Sequence, residues 1–124
     1  MTNKQAIDFI LRGQKILRIQ DWDIEFIPVN AGVLNDNNDT AIVRHRPYRM
    51  DAQITVAMAE DEANIKDSIW HELIHLLLEG LRDIANDMAE QLGPGGKQLA
   101  KDRLNIAEER IAVRLAKALV ELDG

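Results

Sequence analysis

Two of the three histidines in this 124-residue chain, His71 and His75, stand four residues apart, and Glu72 directly follows the first. On a helix, positions four apart lie on one face about 5–6 Å from each other, so both imidazoles can bind a single metal ion. Glu72 falls at the edge of that face, where its carboxylate reaches a metal-bound water without ligating the metal. Two neutral nitrogen ligands leave Zn²⁺ a strong Lewis acid, and an unligated carboxylate takes the proton from a water whose pKa is already lowered towards ~7. The pattern therefore predicts metal-assisted hydrolysis, with zinc as cofactor, His71 and His75 as ligands and Glu72 as catalytic base. The competing reading has both histidines satisfied by hydrogen bonds in a core. The apolar run around them gives no packing motive for that.

A third ligand has to come from another element. The C-terminal segment predicts a helix over residues 97–122, with Leu104, Ile111, Leu115 and Ala118 on one stripe at helical spacing. Glu108 sits on that stripe, and an acid on a core-facing stripe needs a partner, because a buried unpaired carboxylate is costly. A zinc ion would supply it, and a salt bridge at the helix margin is the plainer alternative. Glu109 falls about 100° round the helix and is the second candidate ligand. Glu79, four residues after His75, lies too far along its own helix to ligate and reads as a solvated helix-end carboxylate, with a supporting or substrate-side role as the alternative. The Gly and third His that a longer zinc motif carries beyond the second histidine are absent from this helix, which excludes the metzincin pattern.

The elements that must position these residues can be read in outline. A first helix runs from a cap at Thr2 or Asn3 to about Ile19, interrupted by Gly13. Residues 21–29 alternate as a half-buried strand, with Trp22, Ile24 and Phe26 on one face and Pro28 ending regular pairing or marking an edge. The Asn/Asp cluster 35–39 reads as a solvated turn, since the spacing of a calcium loop is missing. Residues 40–46 and 52–58 give two further strands, the second the better of the two. The expected sheet is three-stranded and mostly antiparallel. Arg44, His45, Arg46 and Arg49 form a basic patch, read either as an exposed hairpin or as presenting His45, Tyr48 or an arginine to substrate. The motif helix starts near Glu62 or Ile65, capped by Asp61 or Asn64, and extends to Leu81 or even Leu92, with Gly80 as a bend. Being apolar almost all round from Leu73 to Leu78, it should be central and buried. Gly93-Pro94-Gly95-Gly96 breaks the chain.

Composition bounds the class. The length fits one domain, residues 1–124, with a core that needs no staples. Hydrophobic content of 46% against 29% charged residues argues for a soluble globular chain rather than a disordered one. The chain has no cysteine, which excludes disulfides and thiolate metal sites and suits a cytoplasmic setting. No apolar run is long enough to span a bilayer, and the N-terminus reads as neither signal nor transit peptide. A net charge of −6 opposes nucleic-acid binding. The oligomeric state is left open, although a long apolar helix could carry a dimer interface.

A sheet, a His-Glu-x-x-His helix and a later helix presenting Glu together resemble the gluzincin branch of the zincin metallopeptidases. More narrowly, the chain is similar to small metallopeptidases of phages and prophages related to minimal gluzincin and SprT-like domains. The residues that carry the likeness are Trp22-Asp23-Ile24, Ala52-Gln53-Ile54-Thr55-Val56, Trp70-His71-Glu72-Leu73-Ile74-His75-Leu76 and Glu108-Glu109-Arg110-Ile111-Ala112. They span about 20 to 120, with only the zinc motif highly specific. The resemblance implies an α+β zincin-like fold in which the N-terminal, central and C-terminal helices pack on the sheet. It implies a zinc metallopeptidase acting on a peptide or protein, in the host cytoplasm if phage-encoded. His71, His75 and Glu108 would be ligands, with Glu109 as the alternative third one, and Glu72 would be the general base. The strand at 53–58 would be the edge that pairs with extended substrate through Ile54 and Val56, and Tyr48 or His45 would supply a second oxyanion donor. The rival function is a zinc-binding module that has lost hydrolysis and serves as an interaction protein.

Overall fold

The computed structural model describes residues 1–35 and 38–123. Helix α1 (Asn3–Leu17) is started by a capping box, in which Thr2 Oγ1 accepts from the Gln5 backbone N–H at 3.1 Å and the Gln5 side chain accepts from the Thr2 N–H at 2.8 Å. Strands β1 (Asp23–Val29), β2 (Ala41–Arg46) and β3 (Asp51–Ala57) follow, then helices α2 (Glu62–Leu77), α3 (Glu79–Glu90) and α4 (Pro94–Asp123). The fold is α+β, as its pattern of elements implied. Asp36 and Asn37 of the expected turn lie outside the described residues. Its flanks close on each other, with Asn35 Nδ2 donating to Asp39 Oδ2 at 2.9 Å.

The sheet is mixed rather than mostly antiparallel. Its order is β1-β3-β2, with β1 parallel to β3 and β2 antiparallel to β3. The reason lies in the two connections. A single 3-10 turn (Pro47–Arg49), closed by Met50 in the left-handed region at φ 54°, folds β2 back on β3 as a hairpin. The stretch between β1 and β2 is long enough to carry the chain across to the opposite edge, which leaves β1 beside β3 in the same direction. One correction results: the strand at 53–58 is the middle strand and not an edge. β1, which contains Pro28, is one of the two real edges, as one reading of that proline had it.

Helix α2 forms the centre. Asp61 caps it by accepting from the Asn64 N–H at 2.8 Å. Ile65, Ile69, Leu73, Ile74 and Leu76 are fully or almost fully buried, in one core with Ile54 and Val56 of β3. On the other flank Trp70 meets Phe9 of α1 edge to face, with centroids 5.6 Å apart. Gly13 does not interrupt α1. It is buried within that helix, and a Cβ there would lie 2.5 Å from Leu73 Cδ1 and 3.4 Å from the Trp70 ring. The motif helix stops at Leu77, and a new helix begins at Glu79, one residue before the expected bend at Gly80. Pro94 and both following glycines already belong to α4, with Pro94 at its first position, where a missing N–H costs nothing. No helix among the described residues is long and apolar enough to cross a membrane.

Helix α4 buries a different stripe from the one expected. Glu108, Ala112 and Ala116 are its buried residues, flanked by partly buried Leu119 and Val120, while Ile111 and Leu115 are 41% and 42% exposed. Two alanines at the contact let the α4 backbone come close to α2, and the bulkier side chains turn aside. The helix is thereby rotated, and both of its adjacent glutamates arrive at the motif.

Candidate metal centre

A cleft of about 420 Å³ opens between β2, α2 and α4, lined by Ala41, Val43, His71, Glu72, His75 and Glu109 among others. Within it, His71 Nε2 and His75 Nε2 stand 3.1 Å apart. Glu109 reaches both, with Oε2 at 3.4 Å from His71 Nε2 and Oε1 at 2.8 Å from His75 Nε2. A tetrahedral ion with bonds of ~2.0–2.1 Å keeps its ligand atoms about 3.3 Å apart, so this spacing suits one zinc. His71, His75 and Glu109 are the group of described residues that could hold a metal ion.

Glu108, the preferred third ligand from the sequence, takes a different place. Its Oε1 lies 2.7 Å from His75 Nδ1, and its Oε2 accepts from Arg82 Nη1 at 2.8 Å. It is 5% exposed where Glu109 is 58% exposed, and it sits behind the histidine rather than beside the metal position. A carboxylate can only accept, so Nδ1 of His75 donates to Glu108, and Nε2 is left as the ring atom on the side of His71 Nε2 and the Glu109 carboxylate, where it could ligate an ion. Arg82, whose Nη2 also donates to Asn105 Oδ1 at 3.1 Å, holds Glu108 in this position. Sequence reasoning passed over Arg82, although its place four residues beyond Leu78 on a helix facing α4 was legible in principle.

Burial pushes the Glu72 carboxyl up to about 7, only partly countered by His75 and by a hydrogen bond from the Val43 backbone; Glu109 and Asp39 add a smaller upward push. A base poised near neutrality beside the ligand set is the condition general base catalysis asks for. The contact with Val43 also identifies the strand that borders the cleft as β2. Thr40 O accepts from Ala57 N at 2.8 Å, so alternation leaves the backbone groups of Ala41, Val43 and His45 facing away from β3.

Other expected residues lie elsewhere. Ile54 and Val56 are fully buried on the middle strand and cannot touch substrate. Tyr48 is 81% exposed on the 3-10 turn, outside the cleft, with Arg49 over its ring. Of the two side chains considered as oxyanion donors, only His45 borders the cleft. Its Nε2 lies 2.7 Å from Glu79 Oε2, and Glu79, expected to be solvated, is 7% exposed. The arginines split from His45 by strand alternation. Arg44 and Arg46 line a polar groove on the outer sheet face with Asp23, Glu25 and Asp51, where Arg46 grips Asp51 at 2.9 and 2.8 Å. That groove is the exposed hairpin reading of the basic patch.

Compared with protein-family models, curated proteins and solved structures, the chain matches none of them. The metal centre therefore stands on its own geometry.

Proposed function

We propose that this chain is a zinc-dependent metallopeptidase of the gluzincin type, related in design to the small phage and prophage enzymes it resembles. The observation that carries the reading is the meeting of two imidazole nitrogens and one carboxylate from two helices, with contacts of 2.8–3.4 Å, beside a carboxyl raised to about 7. His71, His75 and Glu109 would hold the metal, which when bound supplies Lewis acidity and lowers the pKa of water at its open position. Glu72 would take a proton from the water attacking the peptide carbonyl and pass it to the leaving amine. Glu108, with Arg82 behind it, orients His75 through Nδ1, the outer-shell support that metal-bound histidines use. The edge of β2 would take the part first assigned to the middle strand, offering the Ala41 backbone and the Val43 carbonyl to an extended peptide. His45, which borders the cleft, would be the side chain that faces the carbonyl oxygen.

The deciding experiment compares wild type and Glu72→Gln for zinc content and for cleavage of an unfolded protein substrate. One zinc in each, with turnover lowered about 10²–10⁴-fold in the variant, is the expected result. Zinc without turnover, or turnover indifferent to Glu72→Gln, defeats the peptidase reading and leaves a zinc-binding interaction module.

A further inference from the structure

Among the described residues, nine of the sixteen exposed large apolar side chains lie on α3 and α4, which singles out the side of the molecule those helices form. The two run antiparallel, as the Arg82–Asn105 hydrogen bond near one end and the Glu90–Lys101 and Glu90–Lys97 ion pairs near the other require. Leu81, Ile84 and Met88, 60–68% exposed, recur at helical spacing along one flank of α3. Ile111 and Leu115 do the same along the facing flank of α4, with half-buried Leu104 above them. Between the rows, a shallow apolar cavity of about 110 Å³ brings Leu78, Leu81, Leu104 and Ile111 together. Contiguous apolar surface of this kind marks an interaction site.

The charges at its margins say what covers it. At 100° per residue, Asp83 and Asp87 fall beyond the α3 row, on the edge away from α4, while Arg103 and Arg110 fall beyond the α4 row on the opposite edge. All four are exposed, and none makes an ion pair or side-chain hydrogen bond among the described residues. The antiparallel alignment sets Arg103 level with the stretch between Asp83 and Asp87, and Arg110 a little over one turn beyond Asp83. An apolar face with one acidic and one basic margin is self-complementary. A two-fold axis parallel to the helices lays α3 of one copy over α4 of the other, so that each acidic margin meets a basic one, twice over. A margin of one sign all round would instead repel its own copy.

We infer that the α3–α4 face is the interface of a symmetric homodimer, with Leu81, Ile84 and Met88 of each copy packed on Leu104 and Ile111 of the other. The inference is independent of the metal and of hydrolysis.

Its test is the molar mass in solution of the whole chain, by sedimentation or light scattering over a wide concentration range. Three samples are compared: wild type, Asp83→Lys with Asp87→Lys, and Arg103→Glu with Arg110→Glu. The wild type is expected to be a dimer, and each charge reversal to weaken self-association at least about tenfold, because both margins then carry one sign. An equimolar mixture of the two variants regains complementary margins and should form a heterodimer, a recovery that misfolded variants could not give. A monomeric wild type, variants that dimerise as the wild type does, or a mixture that stays monomeric would each overturn the proposal.

Discussion

Neighbouring glutamates on α4 do opposite jobs. Glu109 reaches the Nε2 atoms of both histidines, and Glu108 reaches Nδ1 of one of them from behind. Removing a ligand and removing its support should therefore differ in kind. In zinc titrations, Glu109→Ala should lose stoichiometric binding, while Glu108→Gln should keep one zinc with affinity lowered about 10–100-fold. Equal losses in the two variants would contradict this division. Glu72 provides a second test, in the metal-free protein. Its carboxyl is raised by burial to about 7 from the ordinary 4.5, so the folded state holds a proton that the unfolded state has released. Stability from this group is fully present below the unfolded value and is lost as pH rises through the folded one. Between about pH 4.5 and pH 7, the apo wild type should lose about 1–3 kcal/mol that Glu72→Gln retains, as urea denaturation across that range would reveal. A difference that does not change with pH would show that the carboxyl is solvated.

Among the elements, α2 has most to lose from any change in how it is packed. Its motif face is held from below by β3 and from the side by α1, which can approach only because position 13 has no side chain. A Cβ there meets Leu73 and Trp70, the two residues that bracket His71 and Glu72. Alanine would gain about 1 kcal/mol in helix propensity and lose about 1–3 kcal/mol to overpacking. Gly13→Ala is expected to lower stability or leave it level, and to loosen zinc binding through a shifted α2. A clear rise in the thermal midpoint would show that the two helices part without strain. Seen in the chain, Gly13 reads as an interruption; in the fold it is a point of close approach.

For the whole molecule, the proposed metal position is a cross-link between α2 and α4. An ion that binds only the folded chain stabilises it by RT ln(1 + [L]/Kd), about 4 kcal/mol at a thousandfold excess over Kd. For a domain of this size that corresponds to a rise in thermal midpoint of roughly 15 °C. Chelation should remove this rise in the wild type and change nothing in Glu109→Ala, as scanning calorimetry would show. A midpoint indifferent to both zinc and chelator would mean that no ion joins α2 to α4.

Local chemistry made much of this legible in advance. His71, Glu72 and His75 were readable because one helical turn puts them on one face whatever the rest of the chain does. The caps at Thr2 and Asp61, the three strands and the buried character of α2 were readable because each depends on residues near in sequence. What the tertiary structure decided was everything that depends on rotation and order. The α4 stripe was expected from its largest apolar residues, yet packing close to α2 favoured Ala112 and Ala116, and that rotation exchanged the roles of Glu108 and Glu109. Which strand became the edge turned on the reach of the β1–β2 connection, which no periodicity encodes. Sequence determined which residues could do the chemistry. Close packing between elements far apart in the chain determined which of them meet.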